Sequence, residues 1–302
     1  MPTAANTPPA ETVLPSPGIA WAPLALVFLV ALLVRDRLPP WAFMWGLAMA
    51  IYAALKWASW WRSSARAQAP PWRSAGYLLA WPGMDAESFL DAHRRVPAPA
   101  LREWIWACSK TISGALLLWM VARRVPVSQP LLRAWIGLIG MVLLAHFGTF
   151  HMVALIWQAC GVAAEPIMAA PILSTSLSEF WGKRWNLGFR QLAQELIFRP
   201  LHRTLGAGAA GFLVFVASGL IHDFVISLPA RGGYGLPTLY FLLQGAGVTV
   251  ERSRFGKRLG LRHGMRGWCF MAVFLTVPIF WLFHPWFVLR VILPFLRAIH
   301  AL

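Results

Sequence analysis

The chain is poor in charge, and poorest in negative charge. Of its 302 residues 11 are Asp or Glu and 13% are charged, while 58% are apolar. A water-facing shell cannot be assembled from so few ionic side chains at this length, which excludes an ordinary soluble globule. Cysteine is scarce too. Cys108, Cys160 and Cys269 stand far apart, each in or beside an apolar stretch, so they form neither a disulfide framework nor a CxxC metal motif. We expect them to be small packed core residues. No glycine loop that could cradle a phosphate is present, since Gly206, Gly208 and Gly211 are spaced for helix packing. An inverted internal repeat, common in transporters, is missing. So is a basic region ahead of the first apolar run, and no cleaved signal peptide is expected. The Pro- and Ala-rich residues 1–18 read as a disordered lead to one membrane-embedded domain over 19–302.

What the chain does have is long apolar runs. Eight could span a bilayer: Ile19 to Val34, Trp41 to Trp61, Trp104 to Ala122, Leu131 to Trp157, Gly208 to Leu228, Leu236 to Val250, Gly267 to Phe283 and Pro285 to Ile299. None alternates like a barrel strand, and backbone in lipid must bond to itself, so the fold class is an all-α polytopic transmembrane helical bundle of about eight spans. The net charge of +16 would suggest nucleic acid in a soluble protein, but here it fits anionic headgroups and topology signals, and no nucleic-acid partner is expected. Residues 62–102 carry six arginines, 183–203 five cations and 252–266 six, whereas the intervening connections carry few. The positive-inside rule puts the three basic stretches and both termini in the cytoplasm, in a membrane such as a bacterial inner membrane.

Between Cys160 and Gly206 the polarity rises and the pattern changes. Phe180, Trp181, Leu187, Leu192, Leu196 and Ile197 recur at mixed helical spacing among Ser, Gln, Glu and Arg, which predicts amphipathic or re-entrant helices on the cytoplasmic face. Such backbone at membrane depth must line a wet cavity or be covered by protein, so the region reads as the floor of a site. The next span holds His222, about 21 Å along the helix from Gly208 and followed by Asp223. An ionisable pair at that depth is a functional signal, against the alternative of a packing histidine bonded to a backbone carbonyl. His146 and His151 are five apart and do not share a helix face as a metal pair would, so no metal site is expected.

Two blocks carry the chemistry. "SLSEFWGKRWN" (176–186) sets two tryptophans, two adjacent cations and an amide at a membrane surface, and "SGLIHD" (218–223) contains the buried imidazole. Together they resemble the paired signature of the membrane-bound O-acyltransferase superfamily, specifically its wax synthase-like branch. "GYLLAWPGMD" (76–85) resembles a third segment of that branch, so the likeness covers about 76–228. Lys183 stands where an arginine is usual, and Asp223 where a glutamate often follows the histidine. The resemblance implies transfer of an acyl group from acyl-CoA, a co-substrate rather than a bound cofactor, to the hydroxyl of a lipid-like alcohol or of a terpenoid, sterol or glycan. It implies His222 and Asn186 at the reaction centre. The residue chemistry adds roles: His222 as general base, Asn186 orienting a substrate or donating to the oxyanion, and Lys183, Arg184 and Arg190 meeting the CoA phosphates beside Trp181 and Trp185. An intramembrane His-Asp pair would also suit the proton relay of a transporter.

Overall fold

The computed structural model describes residues 17–34, 36–94 and 96–302, and among them all regular structure is helical. Residues 1–16 of the expected lead lie outside the described residues, while 17 and 18 already belong to α1 (Pro17–Val34). Proline opens several helices, because its fixed φ suits the first turn and its missing N–H would have no partner there. This holds for α1, α2 (Pro40–Arg62), the short α3 (Pro71–Ala80) and α6 (Pro130–Ala159). Before α6 come α4 (Ala86–Leu90), capped by the Asp85 carboxylate, and α5 (Leu101–Arg124). After it come a helical turn α7 (177–184), then α8 (Leu187–Ala230), α9 (Leu236–Arg252), α10 (Arg254–Arg258), α11 (Gly264–Leu282) and α12 (285–298).

Four of these, α5, α6, α8 and α11, are individually long and apolar enough to cross a membrane. Their outward faces are apolar: Ile112 is 59% exposed, Leu220 58% and Val277 70%. Only a lipid solvent leaves such side chains there without cost, and the chain is built as an integral membrane protein. The cysteines follow the same logic and differ from expectation. All three are exposed rather than packed in the core, and those in α5 and α11 face outward from apolar helices, where an apolar medium replaces the core as their surroundings.

Contacts sort the connections into two ends. At one end Arg73 reaches the Gly161 carbonyl at 3.3 Å, Arg94 lies 3.5 Å from Glu165, and Arg252 donates to Ser178 Oγ at 3.0 Å. The three basic stretches therefore share this end, as their charge predicts. At the other end Arg231 pairs with Asp36 at 2.7 Å, and Arg290 donates to the carbonyls of Ala230 and Arg231 at 3.2 Å. Among the described residues seven helices, α1, α2, α5, α6, α8, α9 and α11, run between the ends, and four of them are candidate spans by length and composition. The last does not. His284, just before α12, bonds Ser227 at 3.3 Å, and His300, just after it, accepts from Arg123 through its carbonyl. Both are at the far end. Fourteen residues rise only about 21 Å, short of the roughly 30 Å hydrocarbon core. The expected eighth span is a helix laid against the far end, with Phe295 packed on Trp41 and Trp45, and the C-terminus finishes there rather than beside the basic connections.

The amphipathic helix and the span expected after it are one element, α8, 44 residues long. Gly206 bends it, with φ 78° and ψ 167°, a conformation that side-chain-bearing residues avoid. The stretch before the bend lies at the basic end, and the stretch after it crosses the bundle.

Candidate active site

The span half of α8 places His222 at the last α-helical residue before a π-helical turn, 223–227. Its ring Nδ1 lies 2.7 Å from the Ser218 carbonyl one turn back. A carbonyl only accepts, so Nδ1 carries the proton. The neutral ring then presents Nε2 as an acceptor, and among the described residues no hydrogen bond occupies it. The ring is half-buried and sits 4.4 Å, centroid to centroid, from Phe241 of α9. Asp223 turns away from it. Its carboxylate accepts from the backbone N–H groups of Gly235 at 2.9 Å and Thr238 at 3.2 Å, and from the Thr238 hydroxyl, so it caps the start of α9 and fixes α8 to α9 next to the imidazole. Beside this clamp a groove of about 710 Å³ opens between α8 and α9, lined by Asp223 and by apolar groups including Leu220, Phe224, Leu228, Leu239 and Leu242.

The first block reaches the same place. Ser176 caps α7 by accepting from the Glu179 N–H at 3.0 Å, and the following FWGKR forms a π-helical turn that swings Trp181 inward. Its indole packs on Phe215 at 5.9 Å and Phe241 at 5.7 Å. Phe215 lies seven residues before His222 and so on the same face of α8. Trp181 and His222 therefore converge on Phe241, and the indole Nε1 is buried with no hydrogen-bond partner among the described residues. Trp185 stacks on Phe180 at 5.3 Å.

Asn186 occupies a different position from the one its expected role suggests. Its φ of 42° is left-handed, which Asn tolerates better than most residues, and its Oδ1 accepts from the Phe189 N–H at 3.3 Å to cap α8. No hydrogen bond joins it to His222 among those described. The C-terminal part of the third motif (76–85) is packed against this cap: a methyl on Gly188 would come 3.0 Å from Met84 N. The buried Lys56 ammonium donates to the Gly83 carbonyl, and Tyr52 to the Trp81 carbonyl at 2.8 Å, so α2 holds that turn in place.

The cations divide. Lys183 and Arg190 are exposed. Arg184 is not free: its Nε donates to Glu179 at 2.7 Å and a terminal nitrogen to the Ala169 carbonyl at 3.2 Å, tying the loop before α7 to its end. The Thr175 N–H first, and then Arg184, hold the Glu179 carboxyl below its usual range. We expect Arg184→Gln to lower the melting temperature in detergent, equivalent to about 1–3 kcal/mol, with Lys183→Gln unchanged; equal effects would refute the division. The same stability is fully present above the unfolded carboxylate value of about 4.3 and is lost as pH falls through the depressed folded value.

An imidazole held in one tautomer inside a helical bundle, sharing the Phe241 ring with a tryptophan-rich surface block, defines a candidate membrane-embedded site. A profile of the membrane bound O-acyl transferase family matches residues 164–243, a segment that runs from the loop before α7 through Asn186, His222 and Phe241. Curated relatives include an Arabidopsis thaliana protein named "Probable long-chain-alcohol O-fatty-acyltransferase 7", 33% identical over 141 residues, 41% of this chain and 40% of the relative. A Simmondsia chinensis "Long-chain-alcohol O-fatty-acyltransferase" is 30% identical over 41% of this chain and 39% of its own length. An Arabidopsis "Acyl-CoA–sterol O-acyltransferase 1" is 31% identical over the same shares. Over these segments the chain is similar to the membrane-bound O-acyltransferase superfamily, in its wax synthase-like branch. The match spans about two fifths of the length of these relatives, and their plant origin lends no support to a bacterial membrane.

Phe241, Lys56 and the Asp223 clamp were not singled out by the sequence reading. Phe241 had no polar signal, and nothing in "AALKWASWW" shows the Gly83 carbonyl that Lys56 meets.

Proposed function

We propose that this protein transfers an acyl group from acyl-CoA to the hydroxyl of a lipid-like alcohol. The observation that carries the reading is the Nδ1 bond of His222 to the Ser218 carbonyl, which leaves Nε2 as the basic nitrogen, without a hydrogen bond among the described residues. In this scheme Nε2 takes the alcohol proton as the oxygen attacks the thioester carbonyl. The C–S bond then breaks, and the imidazolium returns the proton to the departing CoA thiolate. Asn186 assists from the basic end, through its amide, once a donor lies along α8. Trp181 and Trp185 wall the donor, while Lys183, Arg190 and, where its ion pair allows, Arg184 meet its phosphates.

The basic end faces the cytoplasm in this proposal, with the N-terminus on that side and the C-terminus opposite, and acyl-CoA arrives there. The acceptor enters from the lipid through the groove beside Asp223, whose near-continuous apolar lining suits an alkyl chain better than a glycan. A sterol is the second reading, supported by the name of one relative. The test is ester formation by membranes containing the protein, given labelled palmitoyl-CoA or acetyl-CoA and a panel of long-chain alcohols, sterols, terpenoids and glycans. A CoA-dependent ester of a long-chain alcohol is the expected product. No ester from any pair would overturn the acyl-transfer reading and favour the proton-relay alternative.

A further inference from the structure

The connector from α9 to α11 carries six cations in residues 252–266, and by charge alone it reads as a headgroup and topology element. Its packing says more. Arg252 donates to Ser178 Oγ at 3.0 Å, and the neighbouring Glu251 carboxylate, fully buried, accepts from the Ser178 N–H at 3.2 Å. At its other end Trp268 donates to the Ile172 carbonyl at 2.9 Å. The connector is thus fastened at both ends to the 172–178 segment that leads into the FWGKRWN turn. The acids on this rim are already engaged: Glu179 by Arg184, and Glu251 by Ser178 with Arg262 at 3.9 Å. Arg254, Lys257 and Arg258 on α10 are exposed and have no described hydrogen bond or ion pair. Arg184, between Trp181 and Trp185 in the chain, is engaged inside the loop by Glu179 and the Ala169 carbonyl.

We propose that α10 and its flanks form a phosphate-binding rim of this site, which takes the phosphate groups at the nucleotide end of the CoA donor. The proposal rests on the acyl-CoA reading above. The recognising chemistry is three unpaired cations held next to the block that walls the thioester, so that a phosphate there anchors the donor while its acyl end reaches inward. The exposed apolar Phe255 and Met265 flank these cations and suit a membrane surface, so a lipid phosphate is the competing source of the same chemistry.

The sources separate in vesicles of neutral phosphatidylcholine. There the triple variant Arg254→Gln, Lys257→Gln, Arg258→Gln is expected to raise the KM for palmitoyl-CoA about tenfold or more, at about threefold per exposed contact, with the change falling on KM rather than kcat. The wild-type preference for palmitoyl-CoA over its 3′-dephospho analogue should shrink in parallel. Ser178→Ala, which removes no charge but unfastens Arg252, should raise the same KM by a smaller factor. An unchanged KM in neutral vesicles, with a loss confined to binding of vesicles containing phosphatidylglycerol, would assign the rim to lipid and overturn the proposal. Should the wild type form no ester at all, the acyl-transfer reading fails separately. Binding of adenosine 3′,5′-bisphosphate to the purified protein then decides the rim: weaker binding by the triple variant supports it, and equal binding refutes it.

Discussion

His222→Asn is expected to abolish ester formation, by at least about 10²-fold in kcat, at unchanged abundance in the membrane. The asparagine is the informative replacement. Its amide nitrogen overlies the imidazole Nδ1 and can keep the 2.7 Å bond to the Ser218 carbonyl, so the local helix retains its partner. What disappears is the basic Nε2. His222→Ala, by comparison, also leaves a void beside Phe241, whose ring is 4.4 Å away, and mixes a packing loss with the chemical one. The assay is initial rate of labelled ester in membranes matched for protein by immunoblot. A rate for the asparagine variant within about threefold of wild type would remove His222 as the base, whatever happens to the alanine variant. Proton removal is the step that a thioester and an alcohol cannot complete unaided at neutral pH, so loss of the base should appear in kcat far more than in KM.

The sequence made that residue legible because depth and polarity conflict. An imidazole and a carboxylate well inside an apolar run have no cheap explanation, and a motif 36 residues upstream gave them a context. The helical class followed equally directly from apolar runs too long and too regular for anything else. The end of the chain was misread for a physical reason: Pro285 to Ile299 is as apolar as a span, and hydropathy does not register that Arg290 needs carbonyls, which it finds at the far end. The relation of Asp223 to His222 was also out of reach. Adjacency suggested a coupled pair, yet consecutive helical residues point about 100° apart, and the carboxylate is used by the unsatisfied N–H groups of α9. Convergence of Trp181 and His222 on Phe241 needed the fold itself, since it joins three elements through an apolar ring.

Asn186→Asp should separate two uses of one side chain. The structure gives Asn186 a cap, with Oδ1 accepting from Phe189 N–H at 3.3 Å, and a left-handed backbone at φ 42°. Aspartate can satisfy both, because its carboxylate oxygen accepts equally well, it tolerates that conformation, and a negative charge suits a helix N-terminus. Only the amide NH₂ donor is lost. If that donor stabilises the oxyanion or orients a substrate, the aspartate variant keeps its melting temperature within a degree or two while kcat falls about 10²-fold, the cost of deleting one oxyanion donor. Asn186→Ala is the converse control. It forfeits the cap, at about 1 kcal/mol, and puts alanine, which lacks the polar side chain that lets asparagine tolerate a left-handed backbone, at φ 42°, at about 1 kcal/mol more, so both stability and rate should drop. Near-normal rates in the aspartate variant, with the alanine variant losing activity only in proportion to its stability, would make Asn186 a structural residue. Its place in the signature would then mark the turn that presents Trp181 and Trp185, and the oxyanion donor would have to be sought elsewhere, first at the unpartnered indole Nε1 of Trp181.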